Sequence, residues 1–501
     1  MLPGDRRAAT KAGRRDGARR NPSVPTRSLA PQYAVDPLAH HLTPPPTANT
    51  RSTGPAAPNP LVTAPILPTL LRFALPNMAA MLATALATVA ETGYVGSLGT
   101  AALAGMALAF PMVMLQQMMS AGAMGGGVSS AVSRALGAGD QDRANALTVH
   151  ATCIGAGAGF LFMLAFLTLG AAVYSLLGGR DAALAQAIAY SNVAFCGSVG
   201  VWLTNTFAAV IRGTGNMKVP SLTTFAVAIT QVLVGGTLGL GLGPLPPLGM
   251  AGIAAGQLCA YSGGALFLFF YLRSGRARIR LTLAGTRLDP ALFRDILKVG
   301  AVALFSPLQT VLTILILTRL VAHFGTEALA GYGIGARLEF LLVPFSFAFG
   351  VASVPLIGMA IGAGAVARAR KVAWTAGALA FGTLTTFGVV LALMPDLWGA
   401  LFSRDPAVLR SAAVYFMWSG PCYGVLGMGL SLYFSSLGAG HALGPVLAGT
   451  LRLAVVAAGA WVLTTFAAPV WSVFALVGFG MLVYGLATAL AVHRANWSAR
   501  R

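Results

Sequence analysis

Two carboxylates, Glu91 and Glu339, stand inside long apolar stretches, although the chain has 13 acidic residues. A carboxylate in such a place costs about 2.5 to 3.5 kcal/mol on insertion scales, so its retention needs a reason. Desolvation favours the protonated form unless a cation sits beside it, and such a group can exchange a proton for a positively charged ligand. The bland alternative for Glu91 is an acid near a helix end that snorkels or bonds to a neighbouring turn. Pro76 precedes Glu91 by 15 residues in the same run. Its missing N–H and its ring predict a hinge about 22 Å from the acid, unless the proline simply occupies the first helical turn. Glu339 follows Arg337 by two residues, a spacing that puts the pair on different helix faces. Each is expected to find another partner in a structural or gating role, and Arg452 is read the same way. Met112, Met114, Gln116, Gln117, Met118 and Met119 crowd one stretch. Most of these methionines read as packing, while Gln116 and, farther on, Asn205 are candidates to orient a ligand in an apolar cavity.

Enzyme signals are missing. There is no HExxH, no GxxxxGK[ST] and no cluster of acids for metal-assisted transfer, so neither an enzyme nor a cofactor or metal site is expected. Cys153, Cys196, Cys259 and Cys422 lack the spacing of a metal site or disulfide framework and read as small core residues. Transport, with no nucleotide site to drive it, would draw on an ion gradient.

The elements that must position these side chains follow from composition. At 501 residues, 56% hydrophobic, 9% charged and with mean hydropathy +0.75, the chain must be solvated by lipid. Charged and turn-rich breaks divide it into twelve apolar segments near 73–96, 101–126, 147–178, 183–211, 219–242, 249–272, 296–321, 328–352, 372–395, 408–436, 444–467 and 470–492. Their continuity, rather than alternation, predicts helices instead of a barrel. The chain also repeats itself. Gly99-Thr-Ala-Ala-Leu-Ala-Gly105 returns as Gly325-Thr-Glu-Ala-Leu-Ala-Gly331, and Gly137-Ala-Gly139 as Gly362-Ala-Gly364. The expected fold is therefore an all-α integral membrane protein with 12 transmembrane helices, in two six-helix bundles related by a pseudo-twofold along the membrane normal. The first bundle spans 61–272 and the second 292–492, joined by a basic surface linker at 273–291 and followed by a tail at 493–501.

Residues 1–60 are rich in Arg, Pro, Ala and Thr, which predicts a disordered tail without the apolar core of a signal peptide; a start that lies upstream of the true one is the alternative. The net charge of +20 follows topology rather than a nucleic-acid face. Cations gather before the first segment, in the linker, and at Arg134, Arg143, Arg212, Lys218, Arg368, Arg370 and Lys371. By the positive-inside rule both termini and the linker are cytoplasmic. No nucleic acid partner is expected, and the chain is expected to work as a monomer surrounded by lipid.

Four ordered stretches then carry a resemblance. Ala90-Glu-Thr-Gly-Tyr-Val-Gly-Ser-Leu-Gly99, Val128-Ser-Ser-Ala-Val-Ser-Arg-Ala-Leu-Gly137, Ile211-Arg-Gly-Thr-Gly-Asn216 and Tyr332-Gly-Ile-Gly-Ala-Arg-Leu-Glu339 resemble the multidrug and toxic compound extrusion (MATE) family, from about residue 65 to 490. The resemblance implies an inner-membrane antiporter that exports organic cations by alternating access while protons or sodium ions flow in. The family's proline and acid of the first helix match Pro76 and Glu91, although Glu is one methylene longer than the usual Asp. A pocket tyrosine of the fourth helix matches Tyr190. The Asn and Asp of the fifth helix appear as Gln231 and Gly235, and Thr310 and Leu426 stand where a sodium-coupled branch has further acids. With a single carboxylate left in the lobe, proton coupling is favoured over sodium. The remaining alternative, a flippase for lipids or lipid-linked saccharides, would line its cavity with several cations to hold a pyrophosphate.

Overall fold

The computed structural model describes residues 60–242, 246–282, 287–466 and 468–497. The expected disorder of the N-terminal tail thus falls, apart from Pro60, outside the described residues. Among them every regular element is helical. Ten helices are each long and apolar enough to cross a membrane, and the pair Asp181–Cys196 and Ser198–Gly213, bent by 48°, makes an eleventh. In the second half Pro406–Ser419 and Tyr423–Gly438 take the corresponding place, joined by the turn Gly420–Cys422. Gly197 and Gly420-Pro421 explain the two breaks, since glycine bends freely and proline lacks the N–H. All twelve expected segments thereby have counterparts, numbered below as spans one to twelve: Ile66–Ser97, Thr100–Gly137, Gln141–Leu176, the pair Asp181–Cys196 and Ser198–Gly213, Lys218–Leu240, Gly249–Arg273, Pro290–Ala322, Thr326–Gly362, Val366–Leu393, the pair Pro406–Ser419 and Tyr423–Gly438, Leu443–Thr465 and Val470–Arg494.

Span one runs from Ile66 to Ser97, starting before the expected residue 73 because the exposed Arg72 does not end the helix. Pro76 consequently lies well inside it and not in its first turn. Its ring removes the bond that would reach the Arg72 carbonyl. Span two, Thr100–Gly137, contains a π-helical stretch at Met118–Met124. Span eight, Thr326–Gly362, is its repeat mate and stays α-helical throughout.

The two halves meet backbone to backbone at the end that carries the basic loops. A Cβ added to Gly137 would overlap the Met359 backbone, and one added to Gly362 would overlap that of Arg134. These two glycines are repeat mates, so the repeat closes on itself here. Around this seam Ser130 Oγ donates to the carbonyls of Leu437 at 2.5 Å and Gly438 at 3.1 Å. Asp295 of span seven accepts from Arg134 at 2.8 Å and Arg143 at 2.9 Å, both in the first half. Leu70, Phe73 and Ala74 of span one pack with Ala352, Leu356 and Ile357 of span eight. The hydrogen bonds and ion pairs that join the halves among the described residues lie at this one end.

Two sequence expectations are corrected. The linker was expected to be a surface segment, yet Ile279 and Leu281 are buried against Leu268 and Leu272. Backbone groups hold it there: Leu281 N donates to Leu272 O at 3.2 Å and Arg280 N to Asn145 Oδ1 at 3.0 Å. Its cations stay outside while its few apolar residues find the core. Of the four cysteines only Cys422 is buried; Cys153, Cys196 and Cys259 are exposed. A small apolar thiol facing lipid loses nothing by exposure, which is why the soluble-protein expectation of a core position fails.

Overpacking the seam tests it. Gly362→Val should destabilise the protein by about 1 to 3 kcal/mol, the usual range for an overpacked site. Gly382→Val, where a Cβ meets nothing within 4 Å, should be neutral. Thermal unfolding midpoints in detergent compare the two, and equal midpoints would contradict the close approach.

Candidate functional site

Glu91 lies on the buried face of span one with Ala87 and Val95, spaced by four residues as a helix requires, and is only 3% exposed. Its Oε1 accepts a hydrogen bond from Gln231 Nε2 of span five at 2.8 Å. Span five can present Gln231 there because glycines let it pack closely on span six. A Cβ on Gly256 would come 2.5 Å from Gly235 N and 2.6 Å from Gln231 O. A Cβ on Gly235 itself would lie 3.1 Å from Ile253 O, so the position where the family pattern has an acid serves helix contact here.

Around this pair the first half gathers neutral polar groups. Tyr190 of span four is fully buried, and its hydroxyl donates to Gln257 Oε1 of span six at 3.4 Å. Tyr190 and Tyr261 both lie within electrostatic reach of Glu91. Gln117 Nε2 donates to Tyr261 Oη at 2.6 Å, while Asn205 Nδ2 donates to Gln117 Oε1 at 3.1 Å and to Ser120 Oγ at 2.8 Å. The structure thus brings Glu91 and Gln231 into direct contact and places Tyr190 beside them. Asn205 joins a neighbouring network through Gln117 rather than touching the acid.

Gln116 is buried, with no hydrogen-bond partner for either end of its amide among the described residues; Gln257 Nε2 is likewise without one. Buried amides left in this way are poised to take a ligand or water. The π-helical stretch that begins at Met118 contains Ser120 and rotates the helix immediately after the two glutamines. Such stretches are frequent where a helix carries function. Sequence reasoning missed Gln257 and Tyr261. Their four-residue spacing puts both on one face of span six, a signal that was available.

The second half has its own acid with different company. Glu339 of span eight is half-buried and accepts a hydrogen bond from the Tyr415 hydroxyl of span ten. Tyr415 follows Tyr190 by 225 residues, the offset of the internal repeat, so each half sets the same tyrosine near its acid. Arg452 of span eleven lies within electrostatic reach of Glu339, and its guanidinium sits 5.9 Å from the Tyr484 ring. Arg337 points elsewhere: it is exposed, with its guanidinium 5.4 Å from the Phe402 ring. The Glu339 carboxylate therefore shares its surroundings with a cation. Glu91 has only a neutral amide. Thr310 donates to Ser306 O and Leu426 lies in the apolar core, so neither supplies a carboxylate. Among the described residues no three of His, Cys, Asp and Glu come together as a metal site.

Comparison with known proteins places this arrangement. The MatE family model matches residues 76–237 and 303–462. The chain is 27% identical over 387 residues to an FAD transporter of Shewanella oneidensis, covering 76% of this chain and 84% of that one. It is 22% identical over 344 residues to a probable multidrug resistance protein NorM of Thermotoga maritima, covering 68% and 73%. Among solved structures it matches the outward-facing conformation of a multidrug resistance MATE family transporter of the MOP superfamily. The TM-score is 0.79 at 20% identity, over 87% of this chain and 97% of that one. The two-bundle fold is shared.

The difference in hydrogen bonding between the paired tyrosines is open to test. Tyr415→Phe removes the donor to a carboxylate and should cost about 1.5 to 3 kcal/mol, whereas Tyr190→Phe loses a long contact to a neutral amide and should cost under about 1 kcal/mol. Thermal unfolding in detergent should rank Tyr415→Phe as the less stable variant. The reverse order would contradict the Glu339 bond.

Proposed function

The chain belongs to the MatE family of multipass membrane transporters and is not an enzyme, and from that premise we propose that it exports cationic amphiphilic compounds in exchange for protons by alternating access. One observation carries the reading: Glu91 is buried with a hydrogen bond to a neutral amide and, among the described residues, no cation beside it. An ionised carboxylate in that setting attracts one positive charge, and a proton and an organic cation compete for it. In the proposed cycle the ionised form holds the cation within a wall formed by Tyr190, Gln231, Gln116 and Asn205. Proton entry weakens that hold, and bending of span one about Pro76 accompanies release. A tenfold change in cargo affinity needs only about 1.4 kcal/mol of differential interaction, well within the reach of one desolvated charge.

The positive-inside rule assigns the joined, basic end to the cytoplasm of a cell inner membrane, with both termini on that side. Contacts that join the halves at that end would have to part for cargo to enter from the cytoplasm. Sodium coupling is the less favoured alternative, because a hard cation prefers several oxygen ligands and usually more than one carboxylate. A flippase for lipid-linked saccharides would want several cavity cations, whereas among the described residues Glu91 is bonded to a neutral amide and Arg452 is the cation found beside Glu339. A second substrate reading comes from Arg452 beside Tyr332 and Tyr484, together with the likeness to an FAD transporter. Aromatic rings around a cation suit an anionic aromatic cargo such as a flavin nucleotide.

Efflux from inverted vesicles, with pH and sodium gradients imposed separately, tests these readings together. Glu91→Gln and Glu91→Ala should each reduce pH-driven efflux of a fluorescent organic cation at least tenfold while leaving membrane insertion intact. Full activity in both variants would remove Glu91 from the coupling step. Efflux driven equally well by sodium alone would replace the proton, and transport of flavin nucleotides in preference to cations would select the second substrate.

A further inference from the structure

Beside the joined end of the bundle, the start of span seven carries a cavity of about 490 Å³ lined by Leu288, Pro290, Phe293, Arg294, Leu297 and Lys298. We propose that this groove binds one anionic phospholipid, its phosphate against Arg294 and Lys298 and its acyl chain along the apolar side chains. The two cations are four residues apart, on one helix face, and both are exposed. Neither has a hydrogen bond or ion pair among the described residues. The nearby acids are engaged elsewhere. Asp289 accepts from Ala291 N at 2.8 Å, capping the helix, and Asp295 faces the first half, where Arg134 and Arg143 hold both its oxygens.

Leu288 and Leu297 are exposed next to these cations, at 58% and 37%. Exposed leucines beside paired cations fit a molecule with a phosphate and a hydrocarbon chain better than a soluble anion. The groove is also rigidly built. Asp289 N donates to His150 Nε2 of span three at 2.8 Å, and the His150 ring packs edge-on against Phe293 with centroids 4.6 Å apart. A lipid seated here would restrain the helix whose Asp295 joins the two halves, and so favour the form closed at this end.

Each cation near an anionic headgroup contributes about 1 kcal/mol, so losing both should weaken binding roughly thirtyfold. The experiment measures retention of phosphatidylglycerol against phosphatidylcholine on the purified full chain by native mass spectrometry. The wild-type protein should retain one phosphatidylglycerol preferentially, and R294Q/K298Q should lose that preference by about thirtyfold. R276Q/R278Q, in the linker outside the groove, should change it less than twofold. An equal loss in R276Q/R278Q would replace the site with general surface charge, and no loss in R294Q/K298Q would overturn it. Displacement by soluble glycerol 3-phosphate as effectively as by lipid would also overturn it, because the hydrocarbon chain would then contribute nothing. Glu91→Gln should bind lipid as the wild type does, so the result is independent of the transport reading.

Discussion

A hydrogen bond of 2.8 Å from Gln231 is what Glu91 receives in place of bulk water. Removing a carboxylate from water costs several kcal/mol, and one bond from a neutral donor to a charged group returns only about 1.5 to 3. The shortfall leaves the acid receptive to a positive charge, whether a proton or a cation. An arginine at position 231 would complete a salt bridge and remove that receptivity. The glycines of spans five and six serve the same end, because they bring the Gln231 helix close without adding a charged group. Tyrosines and amides fill the surrounding shell with dipoles that can reorient toward either occupant.

The two acids are not repeat mates, since Glu91 stands in span one and Glu339 in span eight, the mate of span two, yet each lies near one of the paired tyrosines. Duplication preserved the tyrosines at 190 and 415 and the helix breaks that follow them. It did not preserve the charge balance. Glu339 has Arg452 within electrostatic reach and a tyrosine hydroxyl bonded to it, so the ionised acid is partly compensated. The π-helical stretch likewise belongs to span two alone of the two mates. One architecture thus holds an acid bonded to a neutral amide in the first half and an acid tied into a tyrosine and arginine cluster in the second. Such divergence is what a twofold scaffold permits, since each bundle packs its own core and tolerates its own polar interior.

Much of this was legible in the order of residues. An apolar run can be recognised from composition alone, and a lone carboxylate inside one is conspicuous because the membrane makes it expensive. Glu91, Pro76 and the two halves followed from those facts, and Tyr190 and Gln231 from the resemblance. The contact of Gln231 with Glu91 depends on how closely spans five and six approach, which is set by glycine placement across two helices. Gln257 and Tyr261 read as ordinary polar residues until span six is oriented. The cysteines misled for a related reason: in lipid, apolar character no longer separates inside from outside. The linker misled because its many cations masked Ile279 and Leu281, two apolar residues that were enough to anchor it.

Alternating access asks that the joined end be firm yet able to part, and the strengths involved fit that demand. The ion pairs at Asp295 are partly exposed, with side chains 18 to 48% accessible, so each contributes at most about 1 kcal/mol. The single Ser130 hydroxyl proton, shared between two carbonyls, adds roughly 1 kcal/mol in all. Close packing across Gly137 and Gly362 contributes dispersion that is lost sharply once the helices separate by even an ångström. The sum is a few kcal/mol, comparable to what binding of a cation or a proton at a desolvated carboxylate can supply. A seam built of buried salt bridges or large interlocked side chains would hold one state against any such input. Small residues, short polar contacts and one shared aspartate instead make a seam weak enough to part, which is what the proposed cycle requires of this end.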